Sequence, residues 1–414
     1  MPVLLIYRYL ILISVFTTLL YFLYYALNAY YLVKHRQEPE DIDEEANMEK
    51  DVTILIPVYN EKVDVFERVI QGVKSQGTKF VVVGDSSNQP YRSIVEDNGG
   101  TFIYLEKRGG KRIAISEGMK FVDTNFVLFV DSDTTIPEGT VSRMLTHFKG
   151  NVGGVGANVS IRKTNSGASY SAEFLERTRE IILKAMTVRG GSVMVIDGKC
   201  AMYKTSIVKP LLISDKFRYH KVAGKIATMG DDQQLTAYII KKGYRATKCF
   251  EVVVETEPPE NFKQFTKQSI RWARSSYYYF LKNLTDGTAV KAGGFYAFEA
   301  ISTFALPILT LGLGLFRFYF TLHLFGRFAG NSFDTISDLL AHPTLILTNR
   351  AIMHPLLDLL SLPGPLIFGS AVVLNVRRER MRTLAFGGLA LVIIFFTSIY
   401  GFFTCWKQSK WMTR

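Results

Sequence analysis

A chain of 414 residues has room for one sizeable catalytic domain with a second kind of structure beside it, and 48% hydrophobic residues is high for a wholly soluble protein. The formal charge of +12 is scattered and flanks apolar runs, which suits anionic lipid and an anionic substrate and argues against nucleic acid as a partner. Three cysteines far apart, Cys200, Cys249 and Cys405, make no disulfide framework and show no metal spacing, and the six histidines form no HExxH pair; a reducing, cytosol-facing domain fits.

Residues 9–33 are almost wholly apolar or aromatic and long enough to cross ~30 Å of hydrocarbon. Lys34, His35 and Arg36 follow, so residues 1–36 read as a membrane anchor with its C-terminal end in the cytoplasm, not as a cleaved signal. Residues 37–50 are acidic without an apolar face and read as a solvated linker.

Alternating strand and helix signals then run VTILIPVYN, DVFERVIQGVKSQ, KFVVVGDSS, TFIYLEK, RIAISEGMKFV and FVLFVDSD. This pattern predicts an α/β domain with a parallel sheet and crossover helices, in which ligands sit at the carboxyl ends of the strands. Pro57, Asn60, Glu61, Asp85, Asp131 and Asp133 all fall at those ends. No GxGxxG follows the first strand, which argues against a dehydrogenase-type dinucleotide fold. Residues 173–188 predict a helix, followed through Gly190 and Gly191 by a strand VMVI and the turn DGKC. In MGDDQQLTAYIIKKGY two adjacent acids stand at a helix start, where they can simply cap it.

Residues 261–292 interleave basic and aromatic positions, as a helix lying in a membrane interface does. Apolar segments 293–325, 355–376 and 384–405 make residues 293–406 a C-terminal membrane region, in which the first two segments read as spans. Positive charge places both the loop with Arg377, Arg378, Arg380 and Arg382 and the tail 407–414 inside. Both charges are satisfied only if the last segment, or part of 293–355, is re-entrant or interfacial.

The chemistry-bearing residues follow one order: IPVYNE at 56–61, Asp85, GKR at 110–112, DSD at 131–133, GDD at 230–232 and QSIRW at 268–272. Asp131 and Asp133, two apart on a strand, can address one hard cation. Lys111 and Arg112 follow a glycine turn that lets them approach phosphates closely, unless they form an ordinary surface basic cluster. Gln268, Arg271 and Trp272 share one broad helix face, where a guanidinium can grip a diphosphate and an indole can support a sugar ring.

This order, with the QxxRW motif, resembles the processive family 2 glycosyltransferases, the membrane group that includes hyaluronan, cellulose and bacterial capsule synthases. The terminal WMTR resembles the WGTR ending of hyaluronan and type 3 capsule synthases, with Met412 in place of Gly. The resemblance covers residues 50–280 and implies a GT-A, Rossmann-like nucleotide-sugar domain over residues 51–260, combined with transmembrane and interfacial helices. It implies a UDP-sugar donor, Mn2+ or Mg2+ on Asp133 and Asp131, and Asp232 as the base of an inverting transfer beside Asp231. Asp85 then contacts uracil, with turn formation as its alternative, and Arg414 with Trp411 adds a lid over the donor. Three functions follow from different classes: extension of a polysaccharide coupled to export, transfer of one sugar to a lipid in the manner of ceramide glucosyltransferase, and a non-catalytic membrane scaffold. Retention of every acid argues against the last. Membrane lipids are partners under all three.

Overall fold

The computed structural model describes residues 2–34, 51–315, 359, 361–376 and 379–409. The chain divides into two compact units, one made of Met1–Lys34 with Phe298–Leu374 and the other of His35–Ala297 with Asn375–Arg414. The helices are α1 (Pro2–Lys34), α2 (Val63–Lys74), α3 (Tyr91–Asp97), α4 (Lys111–Gly118), α5 (Thr140–Leu145), α6 (Gly167–Val188), α7 (Thr205–Leu212), α8 (Asp215–Arg218), α9 (Asp231–Lys241), α10 (Phe262–Thr285), α11 (Thr288–Ala292), α12 (Gly294–Leu315), α13 (Pro363–Asn375) and α14 (Arg380–Phe402). The strands of the larger unit are β1 (Val52–Val58), β2 (Lys79–Asp85), β3 (Thr101–Leu105), β4 (Phe126–Val130), β5 (Thr134–Thr135), β6 (Val152–Ile161), β7 (Cys200–Lys204), β8 (Lys221–Val222), β9 (Lys225–Ile226) and β10 (Arg245–Thr256).

Eight strands form one sheet in the order β3-β2-β1-β4-β7-β6-β10-β5. Strand β1 lies between β2 and β4, parallel to both, with Ile54 opposite Phe80 and Leu128. Covered on both faces, β1 and β4 carry unbroken apolar runs, VTILIPV and FVLFV, rather than alternating ones. Helix α2 buries Val65, Phe66, Val69, Ile70 and Val73 along one stripe, and all of these but Val65 pack into one core with Ile54, Ile56, Val82 and Leu128. This is the GT-A type of α/β sheet, and its carboxyl edge is where the acids stand.

Four local details differ from the sequence expectation. The acids Asp131 and Asp133 are not on a strand: β4 ends at Val130, and the Thr134 N–H donates to the Asp131 carbonyl at 3.0 Å, closing a turn. The segment VMVI is not a strand either. Its Val193 and Ile196 side chains are buried, and Ile196 lies where Gly154 and Gly156 of β6 leave room, with less than 3.0 Å available to an added Cβ. The strand is CAMYK, residues 200–204, inserted antiparallel between β4 and β6. Finally, α6 starts at Gly167, six positions before its expected start at 173, because the Ser166 Oγ caps it by accepting the Ser169 N–H at 3.1 Å.

Among the described residues, three helices are long and apolar enough to cross a membrane: Leu12–Lys34, Gly294–Leu315 and Arg380–Phe402. The expected span at 355–376 lies partly outside the described residues, and its described helix α13 has 13 residues, short of the ~20 a crossing requires. In the smaller unit, α1 meets α12 through polar pairs: Asn28 Nδ2 donates to Glu299 Oε1 at 3.1 Å, and the Tyr24 and Thr303 hydroxyls lie 3.2 Å apart. The last long helix, α14, packs instead on α6 and α10 of the larger unit. Its buried positions are Thr383, Gly387, Ala390, Thr397 and Gly401, a face of small residues that lets backbones approach closely. A Cβ at Gly387 would lie 2.3 Å from the Phe174 ring, and one at Gly401 would lie 2.5 Å from the Ala273 Cβ. We expect Gly401→Val to force α14 off α10 and destabilise the larger unit by about 1–3 kcal/mol, read as a lower melting temperature of the detergent-solubilised protein, with Gly388→Val, where nothing lies within reach of an added Cβ, as a neutral control.

Candidate active site

The site forms where five chain segments meet at the carboxyl edge of the sheet: the ends of β2 and β4, the starts of α4 and α9, and the middle of α10. Lys111, the first residue of α4, lies between the acids; its Nζ is 2.6 Å from Asp131 Oδ1 and 3.6 Å from Asp231 Oδ2. Asp231 and Asp232 occupy the first turn of α9, behind Gly230 at φ 76°, a left-handed value that glycine adopts without strain. Asp232 Oδ1 accepts the neighbouring Gln233 N–H of this first turn at 2.8 Å. The turn Asp197–Lys199 runs alongside, since a Cβ at Gly198 would lie 3.3 Å from Lys111 Nζ and 3.6 Å from Asp232 Cβ. Asp133 anchors the other side, with its Oδ1 at 3.3 Å from the Thr134 hydroxyl and 3.4 Å from the Thr256 hydroxyl.

Electrostatics follow from crowding acids in a buried place. Burial pushes the Asp232 carboxyl up, and the adjacent Asp231 pushes further, to about 7. For Asp231 burial acts in the same sense, but Lys111 and Arg112 outweigh it and hold the group below the usual carboxylate range. Asp131 is raised by burial and by Asp133 despite its contact with Lys111. Arg271 of α10 lies in the field of all four acids, Asp131, Asp133, Asp231 and Asp232. The two halves of the acid pair on α9 are therefore driven apart, one kept ionised and one poised near neutrality.

The other expected residues divide. Trp272 is on the same helix, with Lys199 Nζ 5.1 Å and the Arg179 guanidinium 5.6 Å from its ring centre. Gln268 sits one turn earlier on α10. Asp85 is buried and accepts the Gly109 and Gly110 N–H groups at 2.6 and 2.9 Å, so its carboxylate shapes the glycine turn ahead of Lys111. Arg112 is 4% exposed, donates to Gln234 Oε1 at 2.6 Å and to the Met229 carbonyl at 3.1 Å, and lies over the Phe217 ring, while its charge still acts on Asp231. In a helix, the residue after Lys111 points about 100° away from it, which turns Arg112 inward. Arg414 and Trp411 lie outside the described residues.

Sequence reasoning passed over a buried ionic network beside Trp272. Asp197 joins Arg179 and Lys248 at 2.6 and 2.7 Å, and Glu176 joins Lys199 and Arg179 at 2.7 and 3.0 Å. Its signal was the three-residue spacing of Glu176 and Arg179 on α6, followed by DGK. Arg274 was missed too; it donates to the Thr404 hydroxyl at 3.0 Å and to the Lys407 carbonyl at 3.4 Å. With Gln408, whose carbonyl accepts the Thr228 N–H at 2.9 Å, it ties the chain beyond α14 to α10 and to the loop before Asp231.

The carboxylates fit a hard divalent cation. Burial, with the neighbouring Asp133, raises Asp131, and oxygen donors at the end of a rigid strand suit a hard divalent cation such as Mn2+ or Mg2+.

Residues 53–212 match the family model described as glycosyl transferase family 2. Among curated proteins, the chain is 29% identical over 241 residues to an N-acetylglucosaminyltransferase of Azorhizobium caulinodans, covering 55% of this chain and 59% of the relative. It is 28% identical over 240 residues to an N-acetylglucosaminyltransferase of Rhizobium meliloti, covering 55% of each. The matches thus span little more than half the length of these relatives. The fold is that of the mannosyltransferase PcManGT from Pyrobaculum calidifontis, solved in complex with GDP-Man and Mn2+, with a TM-score of 0.58 at 17% identity over 94% of this chain and 99% of that one. Residues 53–212 thus carry a domain that matches the glycosyl transferase family 2 model, on a fold of the GT-A type.

If Asp232 takes the acceptor proton, its ionised fraction increases as pH rises through about 7 and the rate with it. We expect turnover, followed by release of the nucleoside diphosphate, to fall on the acid side of an apparent pKa well above the ~4 of an ordinary carboxylate. Asp232→Asn should lose about 100-fold or more at every pH, and a flat profile between pH 5 and 8 would remove Asp232 from this role.

Proposed function

We propose that this chain is a membrane-bound inverting glycosyltransferase that passes N-acetylglucosamine from a UDP donor to the end of a growing saccharide on the cytoplasmic face, coupled to export. The observation that carries this reading is the gathering of Asp131, Asp133, Asp231 and Asp232 around Lys111 and Arg271, with an indole one residue further along α10. The relatives named N-acetylglucosaminyltransferases supply the sugar, and the three apolar helices supply the membrane.

Asp232 removes the proton from the acceptor hydroxyl as that oxygen attacks the anomeric carbon from the face opposite the leaving diphosphate. Asp231, held ionised by Lys111, keeps the ammonium in place and orients the base. Lys111 and Arg271 balance the charge that grows on the departing diphosphate. Asp131 and Asp133 would hold Mn2+ or Mg2+, which would supply Lewis-acid stabilisation of the same diphosphate. Trp272 supports the acceptor sugar, and the cations over its ring fix the angle of the indole. Gln268 lines the approach to it. Asp85 keeps the glycine turn in the shape that brings Lys111 to the acids.

The test is a panel of UDP-sugars presented to the purified protein in detergent with Mn2+ or Mg2+, reading UDP release and product size. UDP-N-acetylglucosamine should be turned over to an oligomer or polymer. Trp272→Ala should shorten the product while UDP release by hydrolysis persists. Product carrying one sugar, made only when a lipid acceptor is added, would replace polymer synthesis by lipid glycosylation.

A further inference from the structure

Away from the active site, on the far stretch of β10, the sheet register breaks. Cys249 pairs with Ala157 of β6, yet the next paired residue is Val253 with Asn158, so residues 250–252 bulge out of the ladder. The bulge lies before the part of β10 that pairs with β5, which begins at Glu255. It turns the Glu251 carboxylate back towards Cys249, and His147, just beyond the end of α5, reaches the same place from a segment 104 residues earlier. Glu251 Oε2 accepts from the Cys249 thiol at 3.1 Å and lies 3.2 Å from His147 Nε2. All three donor atoms fall within 4.8 Å of one another. The thiol is buried, whereas the imidazole and carboxylate are partly open to solvent.

We propose that His147, Cys249 and Glu251 form a binding site for a borderline-soft divalent cation of the zinc type, separate from the Asp131 and Asp133 pair. One thiolate, one imidazole and one carboxylate are the donor set such an ion prefers, whereas Mg2+ and Mn2+ prefer oxygen alone. Ligand atoms around tetrahedral zinc lie roughly 3.3–3.8 Å apart, given metal–ligand bonds of about 2.0–2.3 Å, so the distances here need only small adjustment. Binding replaces the thiol's S–H bond and its hydrogen bond to Glu251 by a sulfur–metal bond, and the thiol proton leaves to solvent. The partly exposed side provides the entry path and leaves the fourth position to water. The bound ion pins the bulge that leads into Thr256 and Glu257, which bond the side chain and backbone of Asp133. The sequence alone hid this site, because three widely spaced cysteines and scattered histidines carry no metal motif.

The test is a cobalt(II) titration of the metal-free full chain in detergent. A thiolate-to-cobalt charge-transfer band in the near ultraviolet should saturate at one equivalent and release a proton. It should vanish in Cys249→Ser and persist in Asp133→Asn, whose oxygen-only site gives no such band. His147→Ala and Glu251→Gln keep the thiol and change partly exposed positions, so they guard against misfolding of the serine variant; each should weaken cobalt binding at least about 10-fold. No charge-transfer band in the folded wild-type protein, or a band that survives Cys249→Ser, overturns the proposal.

Discussion

Four carboxylates crowded at the edge of one sheet cannot all stay ionised without compensating cations, and Lys111, Arg112 and Arg271 are the side chains whose charge acts on them. Much of the larger unit arranges these charges. Strand β4 delivers the Asp131–Asp133 turn, α9 begins on Asp231, α4 begins on Lys111, and Asp85 fixes the glycine turn ahead of it. The same field splits the two acids of α9, keeping Asp231 ionised and lifting Asp232. A basic group poised near neutral pH beside cations that attract phosphate is the chemistry sugar transfer from a nucleoside diphosphate requires.

A second, longer-range constraint links this centre to the apolar helices. Helix α10 carries Arg271 and Trp272 on one side, while Ala273 and Arg274 meet α14 and the chain beyond it. Small residues on α14 allow that contact, so a helix apolar enough to cross a membrane is packed directly on the helix that holds Arg271 and Trp272. The carbonyl of Gln408 then reaches the loop that precedes Asp231. Displacement of α14 would therefore be felt at the acids through two routes, α10 and the Thr228 loop.

The fold was largely legible because β1, β2 and β4 are continuous apolar runs and α2 has a clean apolar stripe. Strand β6 was hidden, since VGGVGANVSI spends three positions on glycine, whose value lies in the space it leaves for Ile196 and Tyr203. The antiparallel β7 was displaced in the reading by VMVI, an equally apolar segment that packs as irregular chain. In the site, motif order located the acids, Lys111 and the α10 face. It could not tell Lys111 from Arg112, because adjacency in sequence says nothing of which residue a helix turns inward. The ionic network of Glu176, Arg179, Asp197, Lys199 and Lys248 depends on three segments meeting, so the spacing of Glu176 and Arg179 on α6 marked only one part of it.

The most direct test of the charge balance is calorimetric titration of UDP into the purified protein with and without Mn2+. The account predicts that UDP binds tightly only when Mn2+ is present, that Asp133→Asn abolishes the metal dependence, and that Lys111→Met weakens binding in both conditions. UDP binding of equal strength in EDTA and in Mn2+, unaffected by either substitution, would contradict it.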